Sequence, residues 1–312
     1  MNILQSIRSF VRTADAGSLA AAARSLGISP AAVGQNIARL EAHLGVRLFN
    51  RTTRSLALTE RGARYLAEVR HIERDLQRAQ AAVTDPDAVP QGRLRIASTS
   101  AFGRHVLAPL LPALQARYPR LAIELLLADR TVDHAREDVD VSFRIEPQLV
   151  EGLVARPIAE VPFVVCAAPA YLALAGVPDT PEALREHRCL VFRYPVDGRL
   201  LAWGFVREGM RFEAEMRPAL VSDDIDAIAA MAAAGGGIAR LAAFVAAPWL
   251  ARGELQVLFA SGDGAATSPQ PMRLFLCVSD RRDLTPKVRA LMQHVVEGLP
   301  EAWRVGGGIG VR

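Results

Sequence analysis

A chain of 312 residues, 51% of them hydrophobic, is too long for one ordinary domain and too apolar for wholesale disorder. Its formal charge of +4 is concentrated at one end: residues 1–60 hold Arg8, Arg12, Arg24, Arg39, Arg47, Arg51 and Arg54 against Asp15, Glu41 and Glu60, so the remainder is formally neutral. A basic head on a neutral body points to a polyanionic partner for the head.

Leu4, Ile7, Phe10, Val11 and Ala14 recur at helical spacing and stop at Gly17, which predicts a first helix. Ser18 is placed to cap a second, with Leu19, Ala22, Ala23 and Leu26 on its apolar face and Gly27 as its stop. Ser29 followed by Pro30 is the preferred order for a third helix start, and Val33, Ile37, Leu40 and Leu44 then form one stripe. Two short helices joined by a glycine turn make a helix-turn-helix pattern. RLFNRTTRSLALT, residues 47–59, alternates apolar residues around a basic, Thr-rich tip and predicts a β-hairpin wing.

Thr59 can cap a fourth helix reaching about Val83. Its residues Tyr65, Val69, Ile72, Leu76, Ala79 and Val83 form a heptad seam, expected to pair with a second chain. TDPDAVPQG, residues 84–92, reads as a hinge. Beyond it RLRIA, LAIELLL, VDVSFRI, PFVVCAA, CLVFR and RLFLCVS are candidate strands, with candidate helices over 103–117, 223–234 and 285–297. This alternation predicts an α/β body with a largely parallel sheet. SGDGAATSPQP, residues 261–271, reads as a loop crossing between two lobes.

The stretch AGSLAAAARSLGISPAAVGQNIARLEAHLGVRLFNRTTRSLALTERG, residues 16–62, resembles the DNA-binding head of LysR-type transcriptional regulators. GRLRIA, FGRHVLAPLLPALQARYP, AAPAYLA, HRCLVFRYP and TPKVRA resemble the effector-binding domain of the same family. The resemblance implies a winged helix-turn-helix over 1–58 and a linker and dimerisation helix over 59–83. A hinge over 84–92, a two-lobed periplasmic-binding-protein-like (type 2) body over 93–300 and a flexible tail over 301–312 complete the expected organisation. It also implies a cytoplasmic, non-enzymatic homodimer or homotetramer that binds promoter double-stranded DNA under control of a small-molecule effector. Neither a cofactor nor a membrane partner is implied. Two positions depart from the common pattern: Gly34-Gln35, where many relatives carry Ser then Arg or Lys, and Arg240-Leu241-Ala242 after the late glycine-rich turn.

In such a head the N-terminal part of the third helix enters the major groove. That places Ser29, Pro30, Ala31, Ala32, Gln35 and Asn36 nearest the bases, with Arg39 also facing outward. Gln and Asn can bond bidentately to adenine, and alanine can touch the thymine methyl. Gln35 is otherwise an ordinary solvated residue. Arg51, Thr52, Thr53 and Arg54 at the hairpin tip suit phosphate contact, the alternative being a solvated turn.

Ligands of open α/β sheets sit beyond the carboxyl ends of strands. Ser98, Thr99 and Ser100 end the first body strand, where free N–H groups and hydroxyls suit a carboxylate or phosphate; Ser100 can equally cap a helix. Phe143 and Arg144 close another strand, with Arg144 either binding an anion or forming a structural ion pair. Ser222 and Asp223 start a helix on the opposite lobe. Gly237 permits close backbone approach, and Arg240 either faces the cleft or stands exposed.

Three other classes are weaker. A solute-binding protein fits the body but not the basic head or the absence of an export signal in the first residues. An enzyme lacks a P-loop, GxSxG or paired metal ligands, and the acids around His134 read as a solvated loop rather than a metal site. A redox sensor would need reactive thiols, whereas Cys166 and Cys277 lie in apolar strand patterns.

Overall fold

The computed structural model describes residues 2–51, 56–69, 72, 89–259 and 267–305. The chain divides into two compact units, a head and a body.

The head opens with three helices: α1 (Ile3–Ala16), α2 (Leu19–Leu26) and α3 (Pro30–Leu44). Asn2 caps α1 by accepting the Gln5 N–H at 3.2 Å. Ser18 stands at the N-cap of α2 but makes no side-chain capping bond. Gly27 takes a left-handed φ of 66° between α2 and α3, the sharp stop that a side chain would resist. Phe10, Val11, Ala22, Ala23, Val33, Ile37 and Leu40 fill the core between these helices. The Phe10 ring also lies 5.4 Å from that of Phe49 and 5.6 Å from that of Tyr65. Leu4, expected on the buried stripe of α1, is 39% exposed, and the partly buried Ile3 packs in its place.

The hairpin is present: β1 (Phe49–Arg51) pairs antiparallel with β2 (Leu56–Leu58). The Thr59 N–H donates to the Leu48 carbonyl at 2.9 Å. Its hydroxyl donates to Arg47 O at 2.8 Å and accepts the Gly62 N–H at 2.9 Å, capping the next helix, α4, as expected. A Cβ on Gly62 would fall 2.0 Å from the Leu48 carbonyl oxygen, so α4 starts hard against the wing. Residues 60–69 form its described part. Leu66 and Val69 are buried in the head core, and Tyr65 and Ile72 pack against it. The seam is expected to pair with a second chain, but its first residues, Tyr65, Val69 and Ile72, instead pack on the head itself. Leu76, Ala79, Val83 and most of the hinge, residues 84–88, lie outside the described residues.

The body holds two five-stranded sheets. The first contains β3 (Gly92–Ser98), β4 (Leu121–Leu127), β5 (Val141–Ile145), β6 (Val154–Val161) and β15 (Met272–Val278), in the order β4-β3-β5-β15-β6. The second contains β7 (Phe163–Ala167), β8 (Arg188–Phe192), β11 (Arg217–Ser222), β12 (Ile238–Ala242) and β13 (Gln256–Leu258), in the order β11-β8-β12-β7-β13. Short strands β9 (Gly204–Arg207), β10 (Met210–Glu213) and β14 (Thr267–Pro269) form a small third sheet.

Both large sheets are mixed rather than largely parallel. β3 runs parallel to β4 and β5, and β8 parallel to β11 and β12. β15, arriving from the far end of the chain, inserts antiparallel between β5 and β6. β7 lies antiparallel between β12 and β13, because the chain passes from β6 directly into the second sheet through Pro162. Residues 261–266 of the expected crossover loop lie outside the described residues, and its end forms β14.

After β3 a turn of helix (Ser100–Phe102) passes through a π-helical turn (Gly103–Leu107) into α5 (Ala108–Arg117). The second sheet carries α6 (Pro169–Ala175), α7 (Ile225–Ala233) and α8 (Ala243–Ala251). The last helix, α9 (Pro286–Gly298), is tied to the first sheet by Lys287, whose ammonium reaches the Asp140 carboxylate at 2.8 Å and the Arg93 carbonyl. Asp140 also accepts the Arg95 N–H at 2.8 Å, so the chain's one lysine sits in a satisfied structural pair.

Candidate nucleic-acid interface and ligand cavity

The start of α3 is built as the sequence predicts. Ser29 has extended backbone, its hydroxyl accepts the Ala32 N–H at 3.1 Å, and Pro30 opens the helix. Val33, Ile37 and Leu40 face the core, which turns Ala31, Gln35, Ala38, Arg39 and Ala42 outward as one exposed row beside exposed Ser29 and Pro30. Ala32 is half-buried. A Cβ on Gly34 would meet nothing within 4 Å, so neither the head's packing nor the local backbone requires glycine there.

Asn36 departs from the expectation. It is only 9% exposed, and its amide donates to the Ser9 hydroxyl at 3.0 Å, joining α3 to α1. With its amide spent on a partner inside the core, it does not stand on the outward row. Of the tip residues, Arg51 ends β1, while Thr52, Thr53 and Arg54 lie outside the described residues. Sequence reasoning counted Glu41 only as a charge. Its Oε1 accepts the backbone N–H groups of Leu48 and Phe49, at 2.7 and 3.1 Å, and so fixes where the wing leaves α3.

In the body, a cavity opens between the carboxyl ends of β3, β4 and β8 and the starts of α7 and α8. Thr99 and Ser100 line it as predicted. The Ser100 N–H, however, is already donated to Asp129 Oδ1 at 3.0 Å, so it is not free for an anion. Ser98 is fully buried beneath the π-helical turn, where a Cβ on Gly103 would lie 3.4 Å from its hydroxyl, and it does not line the cavity.

Other expected residues are corrected in the same way. Phe143 is fully buried, its ring 5.6 Å from that of Phe102. Arg144 is 4% exposed and donates to the Ala128 carbonyl at 2.6 Å, a structural role. Asp224, not Asp223, faces the cavity and caps α7 by accepting the Ala227 N–H at 2.9 Å; Ser222 accepts the Asp224 N–H behind it. Gly237 is packed so closely that a Cβ would fall 2.3 Å from the Arg188 carbonyl oxygen; it serves strand pairing rather than the cavity.

Arg240 neither stands exposed nor lines the cavity. It is 5% exposed, donates to the Ala202 and Gln270 carbonyls at 2.8 Å each, and lies 3.8 Å from the centre of the Phe163 ring. Burial pulls its pKa down to about 10, still charged near neutral pH. The Phe163 ring beneath its guanidinium does line the cavity.

The cavity wall that sequence reasoning missed comprises Asp129, Gln148, Phe192, Tyr194 and Phe244. Asp129 and Phe192 sit at or just past the ends of apolar strand runs, so the strand-end rule that found Thr99 and Ser100 covers them too. Asp226, also in the wall, binds both Arg104 and, at 2.6 Å, His105. Those two residues ride on the π-helical turn of one lobe and Asp226 on α7 of the other, so this triad spans the cleft.

Residues 4–63 match the family model described as the bacterial regulatory helix-turn-helix protein of the lysR family, and residues 87–300 match the LysR substrate binding domain. The chain is 31% identical to a probable HTH-type transcriptional regulator LtrA of Klebsiella pneumoniae over 96% of each protein. It is likewise 31% identical to an HTH-type transcriptional repressor of Pseudomonas aeruginosa, over 95% of this chain and 92% of the relative. Among solved structures, CrgA of Neisseria meningitidis, a LysR-type transcriptional regulator, superposes with a TM-score of 0.55 at 29% identity, covering 94% of this chain and 97% of that one. The chain therefore belongs to the LysR family: it is a DNA-binding transcriptional regulator whose promoter binding is modulated by an effector of its C-terminal domain.

Proposed function

We propose that the outward row of α3 reads operator sequence and that the wing arginines hold the duplex. Ser29, Pro30, Ala31 and Gln35 approach base edges, with Ala32 at the rim, and Arg39 lies along the groove wall. Arg51, Thr52, Thr53 and Arg54 contact phosphate. The observation that carries this reading is the exposed, uncharged row Ala31–Gln35–Ala38, beside a start of α3 where the Ser29 hydroxyl accepts the Ala32 N–H. A neutral helix can choose sequence when neighbouring guanidinium groups supply attraction.

The cavity between the sheets takes the effector, and a bound molecule shifts the population between arrangements of a homodimer or homotetramer joined through α4. The protein acts on the cell's own promoters in the cytoplasm. Purified protein mixed with fragments of the genome at moderate ionic strength tests the reading. Recovery of discrete promoter fragments over random duplex supports it, and equal retention of all duplexes refutes it.

A further inference from the structure

We propose that the body cavity takes a ligand carrying a protonated amine beside an aromatic or similarly flat apolar group, not the carboxylate or phosphate that the end of β3 suggests. This rests on the cavity being the effector site.

The wall supplies acceptors and aromatic faces. Its charged residues are Asp129, Asp224 and Asp226, and no Lys, Arg or His stands among the described residues lining it. Asp226 is matched by Arg104 and His105. Asp129 and Asp224 are not so matched: each accepts one backbone N–H through Oδ1, from Ser100 and Ala227, and each keeps its Oδ2 without a donor among the described residues. Arg240, buried behind the wall with its guanidinium over the Phe163 ring, has both terminal nitrogens on carbonyls and only its Nε without an acceptor among the described residues.

Gln148 is an independent sign. It lines the cavity at 9% exposure. Its Nε2 donates to the Asp129 carbonyl at 3.2 Å, which settles which way the amide points, because the reversed amide would set two acceptors together. Its Oε1 is then a buried acceptor with no donor among the described residues. Such groups are rare in native proteins, and a turn of the Gln148 side chain toward the cavity would offer this acceptor, otherwise closed to solvent, to a ligand N–H.

Phe163, Phe192, Tyr194 and Phe244 are half-buried and add four aromatic rings to a wall that, its acids and Gln148 apart, is otherwise made of small and aliphatic residues. Aromatic faces attract cations through the ring quadrupole, most strongly where water is excluded. An anion would meet the half-buried carboxylate of Asp129 and the exposed one of Asp224 here, and an ammonium would meet acceptors and rings.

The test uses the full-length protein and three probes of matched shape and different charge: 2-phenylethylamine, 2-phenylethanol and phenylacetate. Binding is read by calorimetry and thermal shift at neutral pH. The amine is expected to bind about tenfold or more tighter than the alcohol, as one charge-assisted hydrogen bond allows, with phenylacetate weakest. Asp129→Asn keeps an acceptor for the Ser100 N–H and should weaken the amine about tenfold while leaving the alcohol unchanged. Phe244→Leu should weaken both.

If phenylacetate binds best, gains from Asp129→Asn and loses from Phe244→Leu, the charge class is wrong and the site is right. If probe binding ignores both variants, the cavity is not the site. If none of the three probes binds up to millimolar concentration, the proposal also falls.

Discussion

Oε1 of Glu41, on α3, accepts the backbone N–H of Leu48, at the root of the wing, at 2.7 Å, and takes the N–H of Phe49 at 3.1 Å. Sequence-reading helix and wing are thereby locked to one another through an acid that simple electrostatics would count against DNA binding. The two accounts predict opposite signs. Glu41→Ala removes a negative charge but strands two backbone donors, one of them on fully buried Leu48. We expect it to lower stability by about 2 kcal/mol and to weaken operator binding, read by denaturant unfolding and by titration of labelled operator. Tighter binding in the variant would show that charge outweighs positioning.

Gly34 occupies a helix interior with open space where a side chain would go. Gly34→Ala should therefore raise stability by up to about 1 kcal/mol. If the glycine is retained so that backbone can approach DNA closely, the same variant should bind operator more weakly. A more stable variant with unchanged affinity would remove DNA from the explanation of Gly34.

Gln35 and Asn36 are neighbours with opposite surroundings, one exposed and one bonded to Ser9 at 3.0 Å. Gln35→Ala should change the preferred operator sequence with little effect on melting. Asn36→Ala should cost about 1 kcal/mol of stability and leave sequence preference alone. Selection of binding sites from a random library, alongside thermal melts, separates the two, and a swapped pattern would reverse the roles assigned here.

Burial pushes the thiol of Cys166 up to about 12 and those of Cys189 and Cys277 to about 11. The thiolate is the reactive form, so at pH 7–8 almost none is present. The native protein should not react with Ellman's reagent, while the unfolded chain releases three equivalents. Reactivity should rise only at strongly alkaline pH. One fast equivalent from the folded protein near neutral pH would reopen redox sensing.

Much of this architecture is legible in the chain because burial writes itself as pattern. The runs at 93–97, 121–127 and 139–145 mark β3, β4 and β5: Leu94, Ile96 and Leu121 are buried between less buried Arg93, Arg95 and Glu124, while Val141–Arg144 is buried throughout. The Ser29-Pro30 start and the Thr59 cap are local chemistry, visible without tertiary context. Strand β11 is not legible, since it is an edge strand with most of its residues exposed. Helix α8, AFVAAPWLA, has no polar face to set a period. The cavity escaped for a related reason. Its Asp129, Gln148 and Tyr194 come from separate segments that only folding brings together. Arg240 reads as a surface residue because the two carbonyls that make its burial tolerable, on Ala202 and Gln270, lie far away in sequence.

The central claim is a division of labour between a nearly neutral reading helix and arginines that hold phosphate. The salt dependence of operator binding tests it most directly, compared across the native protein, Gln35→Ala and Arg51→Ala with Arg54→Ala. The double arginine variant should flatten the log–log salt slope by about 0.9 for each phosphate it no longer neutralises, while Gln35→Ala leaves the slope unchanged. An unaltered slope in the arginine variant, or a flattened one in Gln35→Ala, would contradict the account.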